Sequence, residues 1–453
     1  MLLSSLTAIS PLDGRYGDKT AQLRQIVSEY GLIYYRLTVE IHWLFVLSNC
    51  PEIKEFSPLN LNEKTFLEKL LVDFSEKDAL AIKAIEKKTN HDVKAVEYFL
   101  RDQCESHPTL KHASSFIHFG ATSEDINNLA YALMQKTLRD QQLLPALKKI
   151  IQTLNQLAEN TAALPMLART HGQPATPTTL GKEYKNFSMR LQAHVSQWSA
   201  IPIVGKYNGA VGNFNAHVTT YPAVDWTALS QHFIESLGLQ NNTHTTQIEP
   251  HDFLAQWLNA LSICHTILID LCRDTWGYIS LNYFSQKKSE HEVGSSTMPH
   301  KINPIDFENA EGNLGMAIAL STHLSQKLPI SRWQRDLSDS TVLRNLGSVA
   351  GYALVAYQSI EKGLSKLIPN ESYIRQELNA HPEVLTEAIQ SVMRRYGIEN
   401  AYEQLKQLSR GEKITLQQLR DFIETLSIPA DEKQRLKTLT PENYLGLAVR
   451  LAK

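Results

Sequence analysis

Apolar residues recur every three to four positions along most of this chain, the spacing that gathers them on one face of an α-helix. The pattern predicts helices over 20–47, 61–74 and 79–85. Another runs from Asn90, read as an N-cap, through Leu100. A long stretch follows, marked by Ile126, Leu129, Leu133, Leu138 and Leu144; Pro145 is expected to kink it before Leu147, Ile150, Leu154 and Leu157 continue. Further helices are predicted over 179–198, 252–284, 307–328 and 341–367. In 252–284, Trp257, Leu258, Leu261, Ile263, Ile267, Leu268, Leu271 and Trp276 cover much of the circumference, so that helix belongs inside a large bundle or against a partner subunit. No βαβ alternation and no internal repeat is visible, and the fold class is all-α with a long central helical bundle. Past residue 367 the helices become shorter and more charged, with breaks near Gly397, Gly411 and Pro429. The expected division is an N-terminal helical domain over 1–111, a central long-helix bundle over 112–366, and a small C-terminal helical domain over 367–453.

Polar junctions punctuate this pattern, and they carry the candidate chemistry. A Pro-Asp-Gly turn presents Arg15 and Tyr16 near the start. Asn90, His91 and Asp92 follow a lysine-rich helix end, and Thr122 and Ser123 precede acidic residues in the manner of a helix start. The segment 169–177 reads as a polar loop rich in Gly and Pro, with His171 flanked by Arg169 and Gln173; a histidine so placed is an acid–base candidate. The segment 206–213 is read as a loop, and Gln247 lies ahead of the most apolar helix. In 294–303, Gly294, Ser295 and Ser296 supply a pliant backbone whose N–H groups can turn onto an anion. Lys301 adds a positive charge, Asn303 donates and accepts, and Pro304 suits the first turn of a following helix. That loop is expected to be mobile and to close on a carboxylate or phosphate. A last junction, 332–340, opens the helix that contains Arg344.

Composition narrows the class. With 453 residues the chain can bury a large core, and 45 basic against 47 acidic residues, a net charge of −2, argue against a general nucleic-acid binder. Cys50, Cys104, Cys264 and Cys272 form no CxxC pair, and the last two lie in an apolar segment as reduced core thiols do. The N-terminus lacks a basic n-region and meets Asp13 early, unlike a signal peptide. Apolar runs are broken by charge before the roughly 18 residues of a membrane span. A soluble cytoplasmic protein is expected, with no nucleic-acid or membrane partner.

The order of residues in 294–303, GSSxMPxKxN, resembles the signature of the fumarase/aspartase superfamily, whose members eliminate fumarate from a succinyl-bearing substrate. The resemblance is closer to one branch. SSLTAISPLDGRYGDK, TNHDVKAVEYFL, HFGATSEDINNLA, RTHGQPATP, TTQIEPHD and SRWQRDLSDSTVLRNLG, together spread over nearly the whole chain, look like the adenylosuccinate lyase family in its longer bacterial form. The resemblance implies a three-domain fumarase/aspartase-like fold, a homotetramer whose active sites draw on three subunits, and no cofactor or metal. It implies cleavage of adenylosuccinate to AMP and fumarate, and of the succinyl-carboxamide ribotide SAICAR to AICAR and fumarate. It also implies Ser295 as general base and His171 as general acid. Arg15, Tyr16, Arg335, Ser340, Thr341 and Arg344 would hold the nucleotide and its phosphate. Asn90, His91, Asp92, Thr122, Ser123, Gln247, Ser296, Lys301 and Asn303 would hold the succinyl part and base, with Asn309 nearby. The chemistry needs such groups: a base takes the proton beside a carboxylate, preorganised donors bear the developing charge, and an acid protects the leaving nitrogen. Argininosuccinate lyase, fumarase and aspartase share the GSS loop but have no nucleotide phosphate to hold. A non-catalytic structural protein on the same scaffold would need none of His171, Ser295 and Lys301.

Overall fold

The computed structural model describes residues 2–287, 298, 301–408 and 414–453. Among the described residues the expected all-α architecture is present, with three small two-stranded sheets added to it. The chain forms two compact units. One comprises 1–147, 194–266 and 312–358; the other comprises 148–193, 267–311 and 359–453.

In the first unit the leading helices are α1 (Glu29–Ser48), α2 (Leu61–Val72), α3 (Glu76–Thr89), α4 (Asp92–Ser106) and α5 (Ser123–Leu138). Their starts are chemically marked. The Asn60 side chain accepts from the Glu63 N–H and Glu63 returns the bond, a capping box that satisfies two orphan donors of α2. At α3 and α5 the acidic residue likewise reaches back: the Ser75 N–H donates to Asp78 at 2.9 Å and the Thr122 N–H to Asp125 at 2.8 Å. Helix α1 is the centre of the unit: Leu37, Val39, Ile41, Trp43, Leu44 and Leu47 are all fully buried. The Trp43 ring lies 4.2 Å from that of Tyr207 and 5.0 Å from that of Phe233. Each such side chain contributes about 1.5–3 kcal/mol by leaving water, so this aromatic knot anchors the loops that follow Phe116 and Gly205. Strand pair Val204–Gly205 with Gln240–Asn241 is parallel.

The chain continues through α6 (Leu144–Asn160), β1 (Pro165–Thr170), β2 (Gln173–Thr179) and α7 (Leu180–Ser199), then α8 (Asp252–Ser280), α9 (Ile305–Lys327), α10 (Ser338–Leu343) and α11 (Leu346–Lys366). A single π-type turn, Arg139–Leu143, separates α5 from α6, where Pro145 cannot donate to the helical ladder. In the second unit, Phe284–Gln286 pairs antiparallel with Leu367–Pro369. Short C-terminal helices there bury Leu378, Leu385, Ile389, Met393, Leu405, Leu419 and Ile423 around Leu167 of β1.

Several expectations change. The segment 169–177 is not a loop: it is most of an antiparallel hairpin, β1 and β2, whose turn is His171-Gly172. The helix expected over 341–367 is interrupted, because α10 ends at Leu343 and α11 starts at Leu346, leaving Arg344 in the break. Asn90 does not cap α4; it closes α3 in the left-handed conformation, φ 53°, and His91 is the cap, its Nδ1 accepting from the Lys94 N–H at 3.1 Å. Asparagine is among the few residues that tolerate that backbone, so it ends one helix better than it starts the next. Helix α8 stops at Ser280 rather than 284. By length and composition it could cross a membrane, yet more than half of its apolar window is buried inside the chain, as in the core helix of a soluble protein. All four cysteines are free and buried.

Candidate active site

Within the first unit the polar junctions come together. The Ser123 hydroxyl lies 3.4 Å from Nε2 of His91, joining the start of α5 to the start of α4. The Asp92 carboxylate takes Arg36 at 2.6 Å and Arg344 at 3.4 Å. Burial raises its affinity for a proton, but the Arg36 charge and hydrogen bond outweigh that and hold the carboxyl below its usual range. Arg344 also pairs with Glu29 at 2.5 Å. Beside it opens a cavity of about 330 Å³, lined by Ser10, Asp13, Arg24, Glu29, Arg344 and Ser348 among others. A space of that order suits a small ligand.

Thr122 and Ser123 owe their position to Asp125. Its carboxylate accepts from the Thr122 N–H at 2.8 Å, the Asn208 N–H at 3.0 Å and the Gly209 N–H at 3.1 Å. It also meets the Lys206 ammonium at 2.8 Å, and both side chains are fully buried. Gly120 lets the preceding loop close: its φ is +70°, and a Cβ there would sit 2.3 Å from the His217 imidazole. His118 stands two residues earlier, its Nδ1 2.6 Å from the buried Glu40 carboxylate. Burial alone would depress the imidazole, but the Glu40 charge and hydrogen bond raise it above its ordinary value.

Arg335 is drawn inward. Its guanidinium lies 2.6 Å from Glu124 and 3.7 Å from Asp339, and the second Asp339 oxygen faces His251 Nε2 at 3.5 Å. The Gln247 N–H donates to the Gln334 carbonyl at 3.3 Å, and its amide donates to the Ala210 carbonyl at 2.9 Å. Ser340 and Thr341 lie on α10, half-buried and exposed respectively. Arg15 is exposed and Tyr16 half-buried, with the Lys19 ammonium 5.9 Å from the Tyr16 ring.

The second unit carries the remaining candidates. His171 (φ 51°) and Gly172 (φ 74°) both adopt left-handed backbone, as a two-residue hairpin turn requires. His171 is therefore exposed at the tip of a paired strand, a rigid mount for a proton-transfer group. Arg169 secures the turn, donating to the Gly172 carbonyl at 3.5 Å and pairing with Glu377 at 2.5 Å. Lys301 is exposed, Asn303 half-buried, and the Asn309 side-chain oxygen Oδ1 accepts from the Ser359 hydroxyl at 2.8 Å. Helix α9 starts at Ile305, immediately after Pro304. Ser295 and Ser296, with the rest of the 294–303 loop apart from Met298 and 301–303, lie outside the described residues.

Residues 14–319 match the family model described as Lyase, and 331–445 match the one described as Adenylosuccinate lyase C-terminal. Curated adenylosuccinate lyases from Haemophilus influenzae and Escherichia coli K12 are 55% and 54% identical, each covering 100% of this chain and 99% of the relative. The chain belongs to the adenylosuccinate lyase family. Among solved structures, a fumarate lyase from Mesorhizobium sp. BNC1 has a TM-score of 0.76 at 17% identity, covering 96% of each chain. A 3-carboxy-cis,cis-muconate lactonizing enzyme from Pseudomonas putida has a TM-score of 0.74 at 21% identity, covering 95% of each. These two bear on the fold. Against this lyase family's background, the groups that sequence reasoning passed over are Asp125, Lys206, Glu124, His251 and Asp339. Asp125 had a local signal, the Thr-x-x-Asp capping pattern; the others reach their partners only through the tertiary fold. Glu124, His251 and Asp339 could offer a metal three ligand atoms within 4.8 Å of one another. Two of the three already have the Arg335 guanidinium beside them, which supplies the positive charge there.

Proposed function

We propose that this chain cleaves adenylosuccinate to AMP and fumarate, and SAICAR to AICAR and fumarate. The full-length identity to curated adenylosuccinate lyases carries the reading. Ser295 takes the proton from the carbon beside a succinyl carboxylate. The negative charge that develops there is borne by donors from the 294–303 loop, Ser296, Lys301 and Asn303, with Asn309 close by. The C–N bond then breaks, its electron pair goes to the leaving nitrogen, and His171 delivers the proton that neutralises it. Asn90, His91, Asp92, Thr122, Ser123 and Gln247 hold the succinyl part and base. Arg15, Tyr16, Arg335, Ser340, Thr341 and Arg344 hold the nucleotide and phosphate, for which the planar guanidinium fork is suited. The enzyme works in the cytoplasm as a homotetramer with shared sites. In support, Ile263 of α8 and Met316 of α9 are large apolar residues exposed on the single chain. The test is ultraviolet absorbance of the purified protein with adenylosuccinate, SAICAR and argininosuccinate in parallel. Turnover of the first two alone is expected; turnover of argininosuccinate alone overturns the reading.

A further inference from the structure

Three of the polar junctions share one buried cluster. Glu124 follows Ser123 at the start of α5. Glu249 and His251 lie just before α8, and Asp339 lies in the first turn of α10. All four are buried: none exceeds 4% exposure. Arg335 enters this cluster as its cation, with one nitrogen at Glu124 and another toward Asp339. The same Asp339 oxygen that faces Arg335 also accepts the Ser340 N–H at 2.7 Å, so one carboxylate addresses two of the proposed phosphate ligands. The other Asp339 oxygen faces His251. His251 is itself fixed from behind: its backbone is left-handed, φ 64°, and its N–H donates to Glu249 at 2.8 Å. Glu249 in turn accepts from the Asn242 amide at 3.1 Å.

We propose that Glu124, Asp339 and His251 are positioning residues that hold the Arg335 guanidinium, and the α10 turn bearing Ser340, in the orientation that receives the substrate's phosphate. The inference rests on the proposed role of Arg335 as a phosphate ligand. An arginine on a flexible stem must surrender its rotamer freedom when it binds. Here two carboxylates from different elements have removed that freedom before the ligand arrives, which is preorganisation. Glu124 adds a coupling. It adjoins Ser123, so the element proposed to hold the succinyl end also fixes the arginine proposed to hold the phosphate end.

The test compares adenylosuccinate with its 5′-dephosphorylated nucleoside in Glu124→Gln, His251→Asn and Arg335→Ala. For Glu124→Gln we expect KM for adenylosuccinate to rise about tenfold, the order set by freeing one arginine side chain, while kcat stays within about threefold. For the dephosphorylated substrate, KM should not change. His251→Asn keeps a residue that tolerates the left-handed backbone, and should give a smaller shift that is likewise confined to the phosphorylated substrate. It carries the test if Glu124→Gln does not fold. Arg335→Ala should penalise only the phosphorylated substrate. If it penalises both equally, Arg335 is no phosphate ligand and both readings fall. If Arg335→Ala is phosphate-specific but Glu124→Gln and His251→Asn lower kcat alone, tighten KM, or affect both substrates equally, the cradle is refuted and the assignment of Arg335 stands.

Discussion

Replacing Lys206 by Met should destabilise the first unit severely. Lys206 and Asp125 are fully buried and 2.8 Å apart, and the ammonium also donates to the Gly209 carbonyl at 3.2 Å. Methionine fills similar volume but leaves the carboxylate buried without its counter-charge, held only by the Thr122, Asn208 and Gly209 N–H groups. Removing one partner of a buried pair costs about 3–5 kcal/mol. At about 2–4 °C per kcal/mol for a unit of this size, the melting midpoint should fall by roughly 6–20 °C. Asp125→Asn strands the ammonium instead and should cost a similar amount. The double variant leaves no uncompensated charge, and Asn can still accept at one oxygen, so it should cost far less than the two single losses added together. Thermal melts of the four proteins, followed by circular dichroism at one protein concentration, give the comparison. A Lys206→Met midpoint within about 2 °C of the parent, or strictly additive losses, would refute a pair stabilised by mutual charge compensation.

His171→Ala and Ser295→Ala should each lower turnover at least about a hundredfold, the low end for a general acid or base, while AMP still binds in equilibrium dialysis; near-parental turnover in either removes that residue from its role. Mixing these two inactive proteins and letting subunits exchange should restore activity if the two residues reach one site from different chains; a fully active monomer in sedimentation at assay concentration would sink the shared-site reading. His118 has its proton affinity raised by Glu40, so the pair's contribution is fully present below the unfolded histidine value of about 6.5 and is lost as pH rises through the higher folded value. The urea midpoint of the parent should therefore exceed that of His118→Asn, a variant that tolerates the native φ of 59°, by more at pH 6 than at pH 9. A gap independent of pH removes the charged pair as its cause.

The helices were legible because long apolar stretches at helical spacing have few alternatives. A helix start at Thr122 or Ser123 was legible from the acidic residues that follow, and the structure makes Thr122 the cap. What the sequence concealed were choices decided by distant groups. The hairpin at 165–179 was hidden by Gly172, Pro174 and Pro177, which punctuate loops far more often than two-stranded sheets. The Asn90 assignment failed because the same residue type serves helix starts and left-handed helix ends, and His91, outside the usual capping set, took the bond. Lys206 had no local signal at all. Lysine is almost never fully buried, and only the fold brings it to Asp125 from 81 positions further along the chain. Of the candidate site, the residue types were legible in the motifs; which carboxylate faces which arginine was not.

Those pairings change what phosphate binding has to achieve. Neither Arg335 nor Arg344 waits as an open cation: Arg335 has Glu124 and Asp339, and Arg344 has Glu29 and Asp92. On the proposed function, an incoming phosphate therefore exchanges with or joins existing ion pairs. The two arginines differ in what that involves. Arg344 is 42% exposed, so its carboxylate contacts are screened and worth about 0–1 kcal/mol; a phosphate can displace them at little cost. Arg335 is 16% exposed against carboxylates that are almost wholly buried, and separating it from them would leave charge uncompensated in the interior. Arg335 must then keep its carboxylates and present its remaining N–H edge, while Arg344 is the one free to turn. On that reading Arg335 is the phosphate's fixed seat and Arg344 its closing partner, and the carboxylates around each decide which arginine plays which part.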